Sequence, residues 1–282
     1  MPTQAEKAAI FEALHQKPEP FVIGNPWDAG TARILAGLGF SALSTTSAGL
    51  AFTLGRRDGT AAVSRDEALA NARSIVEATT LPVAADLENG YGHSPEAAAE
   101  TIRLAAESGL VGGSIEDATN NPEKPIYDFD HSVERIAAAV AAAHALPFPF
   151  MLVARAENYL HGRRDLDDTI RRLQAFEAAG ASVLYAPGIT QPEDIRTLCA
   201  SLSKPVNVLM GIKGAPPLSV KELGALGVRR ISLGSGFSRA ALTAFYRAAR
   251  EVADHGTFTF NQDTFYMSEL ANFFAPLEDP AK

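Results

Sequence analysis

Short apolar runs alternate with longer amphipathic stretches along most of this chain. Four runs are entered through a glycine, in "AGLGFSALSTTS", "AESGLVGGSIED", "AAGASVLYAPG" and "ALGVRRISLGSG". Gly39, Gly109, Gly180 and Gly227 each fit the position just past a helix end, where the backbone turns left-handed and glycine bears least strain. Four others are entered through proline, in "KPEPFVIGNPW", "TTLPVAADLE", "ALPFPFMLVARAE" and "LSKPVNVLMG". Pro20, Pro82, Pro147 and Pro205 stop the preceding helix and open the next strand. The two kinds alternate strictly, with proline leading the odd strands and glycine the even ones.

Between the runs lie segments of helical spacing, such as "SRDEALANARSIVEAT", "SPEAAAETIRLAAES", "DLDDTIRRLQAFEAAG" and "SVKELGALG". Ser64, Ser94 (with Pro95 at the first helical position) and Ser219 are natural N-caps. Eight short apolar strands, each followed by a helix, predict parallel βαβ units that close into a (β/α)8 TIM-type barrel. Alternation of odd and even strands matches the layered filling of such a barrel. A doubly wound open sheet is the rival, but it does not account for eight units, and no GxGxxG follows the first strand. The opening "MPTQAEKAAIFEALHQ" predicts an amphipathic helix and carries acids unsuited to a signal peptide.

The barrel is expected over 1–255 and a C-terminal helical tail over 256–282. The tail "TFTFNQDTFYMSELANFFAP" is rich in aromatics for a terminus. It either packs on its own barrel or reaches a neighbouring subunit, and a homo-oligomer (dimer or tetramer) is expected.

Composition narrows the function. The 282 residues are 46% hydrophobic, enough for one large α/β domain. No apolar run is long enough to span a membrane. A formal charge of −8 without a basic cluster argues against nucleic acid. The single cysteine, Cys199, allows no internal disulfide and suits a cytoplasmic location. Its setting in a helical pattern reads as a small buried apolar residue.

Barrel sites form at the carboxyl ends of the strands. Those ends carry Asn25, Trp27 and Asp28; Ser44, Thr45, Thr46 and Ser47 with Asp58 beyond; Asp86 and Glu88; Glu116 and Asp117; Arg155, Glu157 and Asn158; Tyr185; Asn207; and Ser235. Asp58, Asp86, Glu88 and Glu116 would repel one another unless a cation or protons intervened. All are oxygen donors with no Cys/His cluster, so the expected ion is Mg2+, with Mn2+ possible. Arg155 offers a fork to a substrate carboxylate or phosphonate, or else pairs with Glu116 or Glu157. The "STTS" turn offers amides and hydroxyls to an oxyanion. Asp117 reads as a cap for the loop that follows, and His93 as a polar loop residue. Trp27 and Tyr91 read as packing groups.

The segments "ALSTTSAGLAFTLGRRDG", "ADLENGYG", "GGSIEDAT" and "LVARAENYL", in that order and spacing, resemble the isocitrate lyase / phosphoenolpyruvate mutase superfamily. The resemblance runs from "NPWDAGTARIL" to "RRISLGSGFSRAAL". It implies a (β/α)8 barrel, usually tetrameric, whose eighth helix is exchanged between subunits. It implies Asp86 as the direct Mg2+ ligand, Glu88 in the place of a second family aspartate and Glu116 as the water-mediated glutamate. The extra methylene of Glu88 points to a water-mediated role for it as well. It implies catalytic roles for Arg155, Asp58, Thr46 and Ser47, and a substrate-binding set of Ser44, Thr46, Ser47, Ala48, Arg155 and Asn207. The chemistry implied is cleavage of a C–C or P–C bond in a 2-oxo or 2-hydroxy acid, leaving an enolate.

Departures from the family pattern refine the expectation. The stretch "EDATNNPEKPIYDFD" lacks the cysteine of isocitrate and methylisocitrate lyases, and Lys124 lies in a different context from the phosphonomutase gating loop. Pro187 stands where the phosphonomutase has a histidine. The reading is a Mg2+-dependent lyase or decarboxylase acting on a small 2-oxo or 2-hydroxy di- or tricarboxylic acid. The alternatives are P–C bond chemistry, as in phosphonomutase or phosphonopyruvate hydrolase, and a non-catalytic 2-oxo-acid binder. Tyr91, His93, Lys124 and Tyr185 are unranked candidates for the proton donor.

Overall fold

A computed structural model of the chain describes residues 2–274. Eight parallel strands form one sheet: β1 (Phe21–Ile23), β2 (Leu43–Ser44), β3 (Val83–Asp86), β4 (Gly112–Glu116), β5 (Met151–Arg155), β6 (Val183–Tyr185), β7 (Val206–Leu209) and β8 (Arg230–Ser232). Their order is β1-β8-β7-β6-β5-β4-β3-β2, so each strand pairs with its chain neighbours and the sheet curls into a nearly closed barrel. The last seam, between β1 and β2, is a single bridge. There the Gly24 amide donates to the Ala42 carbonyl at 3.2 Å, and the Ser44 amide to the Gly24 carbonyl at 2.8 Å.

Asn25 reinforces this seam. Its Nδ2 donates to the Ser44 carbonyl at 3.0 Å, while its Oδ1 accepts from the Leu233 and Gly234 amides at 2.8 and 3.1 Å. One side chain thus ties the end of β1 to β2 and to the turn after β8.

The helices are α1 (Gln4–Gln16), α2 (Ala29–Gly37), α3 (Ser47–Thr53), α4 (Arg65–Glu77), α5 (Pro95–Glu107), α6 (Phe129–His144), α7 (Leu166–Ala178), α8 (Pro192–Ala200), α9 (Val220–Ala225), α10 (Gly236–His255) and α11 (Met267–Phe273). Ser64, Ser94 and Ser219 cap α4, α5 and α9, each accepting from the third helical amide. Gly39, Gly109, Gly180 and Gly227 all take left-handed φ, between 85° and 104°. The proline rule needs one adjustment. β5 begins at Met151, four residues after Pro147, because Pro149 intervenes with no amide to give a ladder.

The amphipathic pattern at the start becomes α1, which plugs the amino-terminal end of the barrel. Ala8, Phe11 and Leu14 are buried against Ile23, Ala84, Val111 and Val153. Truncating a fully buried phenylalanine such as Phe11 costs on the order of 3–5 kcal/mol.

The carboxyl-terminal region leaves the barrel. Of the 20 residues of α10, only Ser238 is buried. Leu242, Phe245 and Tyr246 are exposed, as are Phe258, Phe265, Tyr266 and Met267 beyond it. Gly256, at φ 64°, ends α10, and a short 3-10 turn at Thr259–Asp263 leads to α11. There the chain returns to its own barrel: Arg33 donates to the Phe273 carbonyl at 3.1 Å, and the Phe273 ring lies against Gly37 on α2. Residues 275–282 of the expected tail lie outside the described residues. No helix among those described is long and apolar enough to cross a membrane.

His15 makes the plug sensitive to acid. It is 4% exposed, its Nδ1 donates to the Phe11 carbonyl at 2.8 Å, and Phe11 and Phe21 pack edge-on against it. Burial, with the charge of Arg230 beyond it, pushes its pKa from 6.5 down to about 3. The unfolded chain therefore binds a proton that the folded chain refuses. Stability should be full above pH 6.5 and fall towards pH 3, by about 1.4 kcal/mol per pH unit for this one residue. Urea unfolding at a series of pH values tests this. His15→Gln should flatten the profile between about pH 6 and 4, whereas an unchanged slope would show that His15 carries none of it.

Candidate active site

Parallel strands in register bring three charged ends to one rim. Glu116 on β4 is the register partner of Arg155 on β5, and Asp86 ends β3 beside them. The Arg155 guanidinium spans all three neighbouring acids. Nη1 meets Asp86 Oδ1 at 2.8 Å, Nη2 meets Glu116 Oε2 at 2.9 Å, and Nε meets Glu157 Oε1 at 2.9 Å. Arg155 therefore pairs with both Glu116 and Glu157, and with Asp86 as well. A guanidinium has five N–H donors, so two of them remain for a further acceptor.

Asp86 is held from several sides. Its amide donates to Thr45 Oγ1 at 3.1 Å. Its Oδ2 accepts from the Ser47 amide at 3.3 Å, and its Oδ1 from the Glu88 amide at 3.2 Å. Glu88 takes a left-handed φ of 47°, uncommon for a residue with a Cβ. Ala61, Tyr91 and Asn120 also have positive φ, and these four are the non-glycine residues that do so among those described. All four line one open chamber of about 960 Å³ beside the mouth. Strain of this kind gathers at ligand-binding places.

The acids outnumber the cations here. Burial pushes Glu116 well above the usual carboxylate range, with Arg155 drawing it back and Glu157 adding repulsion. Burial raises Glu157 too, again against Arg155. Burial, then Asp86 and Asp58, push Glu88 up to about 7. Asp58 is raised by burial and by Asp86, while a bond to Ser47 and the charge of Arg155 pull it down. Burial opposes the charge of Arg155, yet Glu116, Glu157 and Asp86 together hold its pKa well above the ordinary value. Burial lifts the Tyr185 phenol to about 12, so it stays neutral under the Arg155 guanidinium, which lies 5.4 Å from its ring centre.

Five carboxylates around one guanidinium fit a hard divalent cation by donor chemistry. No arginine or lysine pairs with the Glu88 carboxylate among the described residues, and Asp86 keeps one oxygen clear of Arg155. Among the described residues no three His, Cys, Asp or Glu side chains converge into a ready cage. That arrangement suits an ion such as Mg2+, which keeps most of its water and touches one or two carboxylates.

The other expected residues divide. Ser44, Thr46, Ser47, Ala48, Asp58 and Asn207 line the same narrow cavity as Asp86 and Arg155. Thr46 has a second task, since its hydroxyl caps α3 by accepting from the Gly49 amide. Tyr91, His93 and Lys124 line the open chamber instead. His93 Nδ1 meets the Tyr127 hydroxyl at 2.6 Å, and Lys124 pairs with exposed Asp128. Asp117 is no simple loop cap: it is buried, accepts from the Glu157 amide at 2.8 Å and pairs with Arg172 at 3.0 Å.

Two contributions escape sequence reasoning. Thr45, the middle of "STTS", positions Asp86 rather than an oxyanion. Arg230 reaches the cavity from the start of β8. Its signal was a second arginine inside the apolar run "VRRIS".

Comparison with known proteins agrees with this geometry. The family model for phosphoenolpyruvate phosphomutase matches residues 11–253. A solved structure from Burkholderia cenocepacia J2315, provisionally described as a lyase/mutase, is 58% identical with a TM-score of 0.94, covering 97% of each chain. The oxaloacetate decarboxylase of Chromohalobacter salexigens is 26% identical over 99% of this chain and 94% of its own. Phosphonopyruvate hydrolase, solved with oxalate and Mg2+, shares the fold at 20% identity and TM-score 0.84, over 95% of this chain and 94% of its own. The chain belongs to the isocitrate lyase / phosphoenolpyruvate mutase superfamily of enzymes.

Proposed function

We propose that this chain is a divalent-metal-dependent carbon–carbon lyase acting on a small 2-oxo or 2-hydroxy di- or tricarboxylic acid. The observation that carries it is the mouth itself, with five acids around one guanidinium that still has two free donors. Asp86 would hold the cation directly, with Glu88 and Glu116 reaching it through water. When bound, the cation supplies positive charge beside the 2-oxygen of the substrate.

The chain's own residues do the rest. The free N–H groups of Arg155 take the substrate carboxylate. In a 2-oxo acid the C3–C4 bond breaks, the distal fragment departs as CO2 or a carbonyl compound, and the electron pair left on C3 delocalises onto the 2-oxygen as an enolate. In a 2-hydroxy acid the C2–C3 bond breaks, the hydroxyl gives up its proton as C2 becomes the carbonyl of glyoxylate or its homologue, and the pair is left on C3. Ser44, Thr46, Ser47 and Ala48 line the cavity, with the Ser47 amide turned to Asp86 Oδ2, so the Ala48 amide and the Ser44 and Thr46 hydroxyls are our assignment for the donors to the enolate. Asp58, with its pKa raised, is our assignment for the group that hands C3 its proton. Pro187 in place of a phosphonomutase histidine favours C–C over P–C cleavage.

The exposed apolar face of α10 supports a homo-oligomer in which this helix covers a neighbouring copy. Phe245→Glu together with Tyr246→Glu should shift the protein to monomers in analytical ultracentrifugation. An unchanged sedimentation coefficient would remove α10 from the interface.

Pyruvate or glyoxylate release from a panel of such acids tests the reaction. Turnover should vanish with EDTA and return with Mg2+, and Asp86→Ala should abolish it. Phosphate release from phosphonopyruvate would replace this reading with P–C chemistry, and tight oxalate binding without any turnover would replace it with a binder. Asp58→Asn should lower kcat by about 10²–10⁴-fold and leave KM nearly unchanged. A change confined to KM would assign Asp58 to binding.

A further inference from the structure

A cavity of about 190 Å³ runs from the mouth, at Asp86 and Arg155, into the barrel as far as Asn207, Arg230 and Ser232. Asp86 and Arg155 end their strands, whereas Arg230 opens β8. Arg155, Tyr185, Asn207 and Arg230 are successive register partners from β5 to β8, and the tilt of barrel strands carries that line from the mouth down towards the α1 plug. Arg230 lies 5.9 Å from the ring centre of Phe11 on the α1 plug and is 5% exposed.

The charge of Arg230 is unmatched. Among the described residues no protein atom accepts from its Nε or Nη1. Burial pulls its pKa down to about 10, and the sole group drawing it back is the Tyr185 phenol. The other deeply placed arginines are engaged. Arg155 holds three acids, Arg172 pairs with Asp117 and Asp168, and Arg135 donates to the Asn89, Gly92 and Ser94 carbonyls. An unpaired buried cation is strongly disfavoured unless something of opposite charge meets it.

The neighbours of Arg230 are suited to an anion. Asn207 is its register partner across β7 and β8, and its Nδ2 lies 2.9 Å from Ser232 Oγ. Asn207 Oδ1 has no partner among the described residues. Turning this amide over keeps the bond, with the hydroxyl donating, and presents Nδ2 to the cavity. Below, His15 is neutral and brings no competing charge.

We propose that Arg230, with the Asn207 amide held in place by Ser232, binds the second carboxylate of the substrate, which lies along the barrel axis with its first carboxylate at Arg155. This rests on the lyase reading and gives the second carboxylate, which that reading already requires, a place at the floor of the barrel. A carboxylate held in an ion pair resists departure as CO2, because the charge it would give up is the one its partner stabilises. The site therefore selects substrates whose second carboxylate survives the cleavage.

Calorimetric titration of the Mg2+-loaded protein with oxalate, lactate and malate tests this. Oxalate reaches only the mouth, and malate differs from lactate by the second carboxylate. Arg230→Met should weaken malate by about 30-fold while leaving oxalate within about two-fold. Its melting temperature should hold or rise, since no counter-charge is orphaned. If Arg230→Met does not fold, Arg230→Lys decides: loss of the fork should still weaken malate and spare oxalate. Malate affinity indifferent to Arg230, or malate and oxalate weakened alike, overturns the assignment and leaves the lyase reading standing. Failure of the parent protein to bind either acid overturns both.

Discussion

The Arg155 guanidinium is the contact on which the site depends. Among the described residues it is the one cation placed against Asp86, Glu116 and Glu157, and each of its three nitrogens takes a different carboxylate. Such a fork depends on the register of β3, β4 and β5, which pairs Glu116 with Arg155 and sets Asp86 opposite Ser114, two positions before Glu116. A one-residue slip would turn Arg155 out of the barrel and leave the acids facing one another unpaired. Behind the fork stands a second network. Asp117 accepts from the Glu157 amide, and Arg172 on α7 pins Asp117 while also bonding the Tyr127 carbonyl and Ser132. The loops after β4 and β5 are therefore fixed by α7, one layer outside the barrel.

The barrel was legible because its signals are local. Four glycines past helix ends, a set of serine caps and the run of βα units each depend on a few neighbouring residues. The charged residues of the mouth were legible for a related reason, since strand ends face the site whatever the details of packing. The partners of those residues were not. Thr45 bonds the Asp86 amide from 41 positions away, and Arg172 reaches Asp117 across 55. No spacing rule predicts such contacts, because they follow from which loops the closed barrel brings together.

Backbone strain escaped sequence reading in a similar way. "ENGYG" announces a turn, but the turn residues with left-handed backbone include Glu88 and Tyr91 as well as Gly90. The reward for Glu88 is visible. Its carbonyl accepts from the Glu116 amide at 3.0 Å, and its own amide binds Asp86 Oδ1. The left-handed bend thus locks β3 to β4 beyond the last ladder pair. It also sets the Glu88 side chain between the mouth and the open chamber, where it lines both.

The two axial guanidiniums show how one barrel treats the same charge in opposite ways. At the mouth, Arg155 is surrounded by more acid than it can neutralise, so the unbalanced charge there is negative and calls for a cation. At the floor, Arg230 pairs with no acid among the described residues, so the unbalanced charge is positive and calls for an anion. Tyr185 stands between them, with its phenol neutral and its ring under Arg155. If Arg230 served only packing, an apolar side chain beside Phe11 would fill that place without the desolvation cost of a charge. Such a gradient along the axis orients a molecule that carries a metal-seeking oxygen at one end and a bare carboxylate at the other. A monocarboxylate would satisfy the mouth and leave the floor unmatched. The specificity of the barrel is then set as much by what it fails to neutralise as by the contacts it makes.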